Sequence, residues 1–193
     1  MIWRYDGNGG WDAVPLSEIH AGDKVMSSQG EPIPVISTTP RHIPDDMYAM
    51  TLINYSSPGW QGRIFTIHAA GSHIWPVDSG LTNLHAAELI GMDRAYDEGI
   101  TPITTRAIHS IMRTGNRVYL PPIKTDMGTV HWETMGVAEE TPTESMCINV
   151  ESDDHIFMIA RVHGDISRTG VYNKEEERRD YQSFHASDTA TAM

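Results

Sequence analysis

Cysteine is almost absent from this chain, and its scarcity limits both the fold and the chemistry. The 193 residues contain one cysteine, Cys147. A single cysteine cannot form an internal disulfide, so the fold cannot depend on an oxidising compartment. Cys147 is therefore either a nucleophile or, as is usual for a lone cysteine within an apolar strand, a small buried hydrophobic residue.

Basic residues are also scarce. The chain has 14 lysines and arginines against 26 acidic residues, which gives a formal net charge of −12. Such a surface repels phosphate backbones, and the nearest basic pair, Arg178–Arg179, is flanked by acidic residues. We therefore predict no nucleic-acid partner. The acidic surface serves either solubility or the recognition of a basic protein partner.

Long apolar runs and targeting signals are missing as well. No stretch approaches the roughly 18–20 apolar residues of a membrane span. The opening "MIWRYDGNGG" has no basic region followed by an apolar stretch, so no signal peptide is predicted. We expect an intracellular or viral setting. We expect no membrane partner and no secretion by a signal peptide.

The patterns that are present predict short strands joined by turns. Sixteen glycines and 11 prolines are spread along the chain. Alternating, β-branched segments predict strands at 2–5, 33–39, 47–54, 63–69, 73–77, 117–123, 128–140, 145–151 and 155–162. The clearest helix is predicted at 83–91, and 93–111 is ambiguous. The sequence thus predicts a mostly β fold with one or two short helices.

The composition changes after Asn173. Residues 174–193 are charged, then small and polar, with few apolar anchors. We predict one domain over 1–173, followed by a charged and polar C-terminal tail over 174–193, read as a short helix and a flexible end.

Metal and cofactor sites are not predicted. His68, His73 and His85 match no standard spacing of zinc ligands. The stretch "DGNGGWDAVPLSE" has some features of a calcium loop, but it lacks glycine at the sixth position and Glu18 falls one residue late. We interpret this stretch as a hairpin turn, and we expect no cofactor and no metal.

Five phrases occur in an order that resembles the Hint domain, the fold shared by inteins and hedgehog autoprocessing domains. They are "PLSEIHAGDKVMSSQGEPIPV", "RIFTIHAAGSHIWPV", "NLHAAELIGMD", "MCINVESDDHIFMI" and "TGVYN". The resemblance extends over roughly residues 10–173. It implies a horseshoe of strands with two halves related by a pseudo-two-fold axis.

The sharper resemblance is to class 3 inteins, which use a cysteine in the penultimate block and a tryptophan two residues after the block histidine. Cys147, His73 and Trp75 match these positions, and Asn173 ends the last block. The resemblance implies that Cys147 is the nucleophile and that His73 protonates the departing amide nitrogen. It also implies that Trp75 packs against the thiol and excludes water, and that Asn173 cyclises and cuts the chain after itself.

Several positions depart from the family pattern. Ala70 stands where the family has a threonine, Tyr172 replaces the assisting histidine, and Val171 replaces the signature threonine. Lys174 follows the asparagine, where an acyl acceptor needs a cysteine, serine or threonine. The alignment of the first strand also suggests a start several residues short of the usual splice junction. Splicing is therefore expected to be largely lost.

The function that follows is a structural or assembly component rather than an enzyme. The viral setting comes from the resemblance, because class 3 inteins are frequent in phage genomes. Partners would be other proteins, such as virion proteins, bound through the acidic surface and the tail. One alternative is an autoprocessing domain with residual self-cleavage after Asn173, and another is a small binding module. We expect Cys147 to lie close to His73 and Trp75 and to be inactive.

Overall fold

Strands form nearly all the regular structure in the computed structural model, which describes residues 1–54, 64–82, 99–125, 128–152, 156–161, 182–187 and 191–192. The strands are β1 Ile2–Tyr5, β2 Trp11–Val14, β3 Lys24–Met26, β4 Pro32–Thr38, β5 Met47–Asn54, β6 Ile64–Ala70, β7 Ile74–Asp78, β8 Ile100–Thr104, β9 Ile123–Thr125, β10 Gly128–Val130, β11 Trp132–Glu140, β12 Met146–Val150, β13 Ile156–Arg161, β14 Gln182–Ser187 and β15 Thr191–Ala192. The described residues also contain a three-residue 3-10 helix, Leu16–Glu18, and one α-helix, α1 Thr105–Arg113. The prediction of a mostly β fold with one or two short helices is confirmed.

Strand β5 shows the alternating burial that its sequence predicts. In β5, Met50 and Leu52 are fully buried, whereas the residues that follow each of them, Thr51 and Ile53, are half-buried. Successive side chains of a strand point to opposite faces, so this alternation presents one apolar face to the core.

Most strands belong to one antiparallel sheet. Its order is β11-β5-β6-β15-β12-β4-β3-β1-β13-β14, with β2 paired to β1. Two further two-stranded antiparallel sheets are formed by β7 with β8 and by β9 with β10. The core includes large, fully buried side chains, among them Trp75, Trp132 and Phe157.

Two turns contain glycines with a positive φ angle. Gly9 and Gly22 have φ angles of 91° and 93°, in the region that L side chains rarely adopt. The Gly22 turn is fixed because its N–H donates to the Val35 carbonyl at 2.8 Å and the Asp23 carboxylate accepts the His20 N–H. The Val35 N–H in turn donates to the Asp23 carbonyl at 2.8 Å, so this turn is held against β4.

The helix α1 begins within the ambiguous 93–111 segment. The Thr104 hydroxyl caps it by accepting the Ala107 N–H at 3.2 Å. Ile108 and Ile111, three residues apart on one face, are fully buried. The helix predicted at 83–91 lies outside the described residues. Within the described residues, no helix is long and apolar enough to cross a membrane.

Two strands fall within the predicted tail. The residues of β14 pair with β13 from Ile156↔Ser187 to Arg161↔Gln182, and β15 lies between β6 and β12. The structure thus differs from the expected short helix and flexible end in the residues that it describes there. Strand pairing uses backbone groups, so it does not need the apolar side chains whose scarcity suggested flexibility. The predicted boundary at residue 173 lies outside the described residues, and the division into domain and tail stays a prediction.

Candidate functional site

His73 and Trp75 meet in the core. A tight turn follows β6, in which the His73 N–H donates to the Ala70 carbonyl at 3.0 Å, and β7 then begins at Ile74. Both side chains have 0% exposure, and their ring centroids lie 4.4 Å apart at an interplanar angle of 52°. The two residues singled out in the sequence are therefore in direct ring contact.

Thr105 links these two residues from the first turn of α1. The Trp75 indole Nε1–H donates to the Thr105 hydroxyl at 3.0 Å, and the hydroxyl donates to the His73 carbonyl at 3.2 Å. The Thr105 backbone N–H also donates to that carbonyl, at 2.8 Å. Thr105 could not be predicted from the sequence, because a threonine about 30 residues away carries no local signal of this contact.

An ion pair holds the other end of the same turn. The Arg106 guanidinium donates two hydrogen bonds of 2.7 Å to the Asp46 carboxylate. The Gly71 N–H donates to the Asp46 carbonyl at 3.1 Å, and the Arg106 N–H donates to the Gly71 carbonyl at 3.0 Å. The Gly71–His73 turn is thus fastened to the start of β5 and to the start of α1.

Gly71 is the residue that this arrangement requires. A Cβ atom added at Gly71 would lie 2.2–2.4 Å from the carboxylate atoms of Asp46, much closer than real atoms approach.

The hydrogen bonds from Arg106 lower the pKa of Asp46 below its usual range. The pKa of Tyr48 is raised, chiefly because the side chain is desolvated by burial and to a smaller extent because of its hydrogen bond with Asp46.

His68, unlike the buried His73, lies at the surface of the sheet. Its side chain is exposed, and its Nδ1 lies 2.8 Å from Glu140 Oε1 across the sheet. In the described part of the chain, no three histidine, cysteine, aspartate or glutamate side chains are grouped as they would be to hold a metal ion. His85 lies outside the described residues.

Cys147 lies in β12 and is half-buried. Its N–H donates to the Thr39 hydroxyl at 2.8 Å, and its carbonyl accepts the Thr39 N–H at 2.9 Å. Both backbone groups of Cys147 therefore point toward the end of β4. Ala70, where the family has a threonine, is fully buried at the end of β6.

The sheet register relates Cys147 to the turn that carries His73. Cys147 pairs with Thr191 of β15, and Ala192 of β15 pairs with Ala69 of β6. Adjacent strands lie about 4.8 Å apart, so Cys147 lies two strands, or about 10 Å, from the end of β6. The turn to His73 starts at that end. Close approach of the thiol to His73 and Trp75 stays a prediction, and Asn173 lies outside the described residues.

The arrangement restricts the chemistry open to His73. A fully buried imidazole can exchange a proton only with a group that packs against it. Proton transfer to a departing amide would therefore need a peptide segment inserted beside the His73–Trp75 pair. The Thr105 bonds hold the backbone of this pair, so the segment would have to approach a rigid turn.

Comparison with solved structures gives similarity to inteins. The chain is similar to the MchDnaB-1 intein, with a TM-score of 0.48 and 16% identity, over 81% of this chain and 89% of that chain. It is also similar to the gp41-1 intein, with a TM-score of 0.45 and 14% identity, over 81% of this chain and 88% of that chain. No protein-family model and no curated protein matches the sequence. Both of these solved structures are inteins, the proteins that the sequence motifs resemble.

Proposed function

We propose that this chain is a Hint-fold domain whose splicing chemistry is largely lost and which acts as a structural or assembly component. The observation that carries this proposal is the complete burial of His73 and Trp75, with Thr105 bonded to both. Thr105 thus satisfies the Trp75 indole N–H and the His73 carbonyl, as expected for buried polar groups of a stable core. A general acid at a scissile bond instead needs contact with its substrate.

Departures from the family's sequence pattern support the same proposal. Ala70 offers a methyl group where a threonine hydroxyl would polarise the scissile amide, and it is fully buried. Lys174 has an amine that is protonated at neutral pH and is a poor acyl acceptor. A chain without a polarising group and without an acceptor would retain the fold while losing the complete reaction.

The partners that we propose are proteins, including other components of a virion. The net charge of −12 favours a partner with a basic surface and disfavours nucleic acid. The acidic surface and the 174–193 segment are the proposed docking elements. The proposed location is intracellular or within a virion.

Two measurements on the purified chain test the loss of chemistry. We expect intact-mass spectrometry to show one species of full length after prolonged incubation. We expect iodoacetamide to alkylate Cys147 no faster than it alkylates glutathione at the same pH. Fragmentation, together with an alkylation rate that stays high at pH 6, would overturn the proposal.

A second candidate is residual self-cleavage after Asn173. It is favoured by one observation, the sheet register that brings the Cys147 strand to within two strands of the turn carrying His73. Loss of the assisting histidine, where Tyr172 stands, would slow cyclisation by roughly 10²–10⁴-fold. A species ending at Asn173 that is absent from the Asn173→Ala variant would support this candidate, and an intact chain in both would reject it.

A further inference from the structure

A strand of two residues joins the two halves of the large sheet. β15 lies between β6 and β12, and it pairs with Ala69 on one side and with Met146 and Cys147 on the other. β6 has seven residues and β12 has five, so β15 covers only part of each edge. Within the described ranges, no other strand pairs with these two edges. We call the space between them the β6–β12 gap.

Both walls of the β6–β12 gap present backbone groups that suit another strand. The backbone groups of Cys147 point to Thr39, on the side away from the gap. Because these groups alternate along an antiparallel strand, Met146 and Ile148 direct theirs into the gap. On the other wall, the Gly71 N–H points to β5, so the neighbouring Ala70 directs its groups toward the gap.

The register places Cys147 directly opposite Thr191. Since the backbone groups of Cys147 point away, this is the closer, non-hydrogen-bonded kind of antiparallel pair, with Cα atoms about 4.5 Å apart. The antiparallel pairing on both sides puts Thr191 in one row with Cys147 and Ala70. In a peptide bound in this register, the residue before the one opposite Cys147 would lie between Ile148 and Gly71. That position is beside the turn that carries His73.

We propose that the β6–β12 gap is a binding site for an extended peptide, with the chain's own Thr191–Ala192 as its occupant. Strand addition of this kind derives its affinity from main-chain hydrogen bonds, and small pockets set the side chains allowed. The gap favours a peptide of small side chains, because Ala69 and Ala70 beside it are small and fully buried. It disfavours proline, which lacks the N–H that strand pairing uses. This inference goes beyond the proposed function, since the gap holds a strand whether or not Cys147 reacts.

Disulfide capture in the full chain tests the occupant. In an antiparallel pair, opposite residues direct their Cβ atoms to the same face, and a disulfide needs Cα atoms about 4.4–6.8 Å apart. The Thr191→Cys variant should therefore form an internal disulfide with Cys147 in a glutathione buffer, measured as the loss of both thiols and of two hydrogens in intact mass.

The matched control is Ala192→Cys, one residue along. Successive residues of a strand direct their Cβ atoms to opposite faces, so this variant should retain both thiols under the same conditions. The expected result is at least a tenfold higher fraction of internal disulfide for Thr191→Cys. Equal oxidation of the two variants would overturn the assignment of Thr191–Ala192 as the occupant.

Peptide titration of the full chain tests whether the gap is a binding site. Ala192 faces Met146 in a hydrogen-bonded pair, so Ala192→Pro removes a donor and should empty the gap, whereas Ala192→Ser retains the donor. The probe is the synthetic heptapeptide SDTATAM, residues 187–193, at several millimolar, since the tethered strand has an effective concentration of about that size.

Saturable shifts of the Met146 and Ile148 amide resonances are expected in Ala192→Pro and not in Ala192→Ser. A peptide with proline in place of its alanine corresponding to Ala192 should leave both proteins unchanged. Absence of saturable shifts in Ala192→Pro would overturn the peptide site, even if the disulfide forms. The peptide titration does not depend on thiol reactivity, so its failure is distinct from failure of the proposed function.

Discussion

The Trp75 indole donates a 3.0 Å hydrogen bond to the Thr105 hydroxyl, and both side chains are fully buried. The same hydroxyl donates its own hydrogen bond to the His73 carbonyl. One short side chain at the start of α1 therefore satisfies the tryptophan and fixes the turn before it. This relationship gives the first prediction.

Replacing Thr105 with valine should destabilise the fold. Valine keeps the shape but removes the acceptor, and a buried donor left unsatisfied costs about 1–3 kcal/mol. Urea unfolding should show that loss, and the Trp75 indole N–H resonance should shift and exchange faster with solvent. Thr105→Ser is the control, because it retains the hydroxyl and loses a methyl group. A Thr105→Ser variant in which the indole resonance moves as far as in Thr105→Val would contradict the assigned hydrogen bond.

Parts of this site could be predicted from the sequence, and others could not. Local alternation located β5, and the block pattern singled out His73 and Trp75. Thr105 and Arg106 reach partners about 30 and 60 residues away, and only the three-dimensional fold brings those partners together. The same limit applies to β15, since backbone pairing leaves no mark in the side-chain pattern of two small residues.

Gly71 gives the second prediction, through its close contact with Asp46. An alanine at this position would place its Cβ 2.2–2.4 Å from the Asp46 carboxylate atoms, so Gly71→Ala should cost about 1–3 kcal/mol through overpacking. Adding Asp46→Ala should recover part of that loss, because the clashing carboxylate is then absent. A double-mutant cycle from denaturant unfolding measures the coupling.

The control for the Gly71 cycle is Gly136→Ala in β11. A Cβ added at Gly136 would meet nothing within 4 Å. The Gly136→Ala change should therefore be neutral or slightly stabilising, by up to about 1 kcal/mol. Strict additivity of Gly71→Ala and Asp46→Ala would show that the carboxylate does not occupy the space above Gly71.

The Asp46–Arg106 pair gives the third prediction, a pH dependence. Arg106 lowers the pKa of Asp46 in the folded state, relative to about 3.9 in the unfolded chain. A lowered folded-state pKa contributes stability above the unfolded value, and that stability is lost as the pH falls through the folded value. The pair is partly exposed, so its contribution should be about 0.5–1 kcal/mol.

The comparison variant for this pH dependence is Asp46→Asn, which cannot titrate. The difference in unfolding free energy between the original chain and Asp46→Asn should be greatest above about pH 5 and should shrink below pH 4. Arg106→Lys should retain part of the difference, because it keeps the charge but loses the two-pronged geometry. A difference that stays constant from pH 3 to pH 6 would rule out the Asp46–Arg106 pair as its source.

The fourth prediction tests whether Cys147 lies against the buried pair, as the family resemblance implies. If the Trp75 ring covers the thiol, Trp75→Phe should open access to Cys147, because the smaller ring leaves space and the indole hydrogen bond is lost. If alkylation requires a local opening of the fold, the alkylation rate rises about tenfold for each 1.4 kcal/mol by which the substitution lowers the free energy of that opening.

Trp132→Phe supplies the control for the Trp75 variant. Trp132 is another fully buried tryptophan, in β11 on the far side of β5 in the strand order, and its replacement should lower global stability by a comparable amount. Alkylation of Cys147 that accelerates only in Trp75→Phe would locate the thiol beside Trp75. Equal acceleration in both variants would mean that Cys147 responds to global stability, and the expected contact between Cys147 and Trp75 would be wrong.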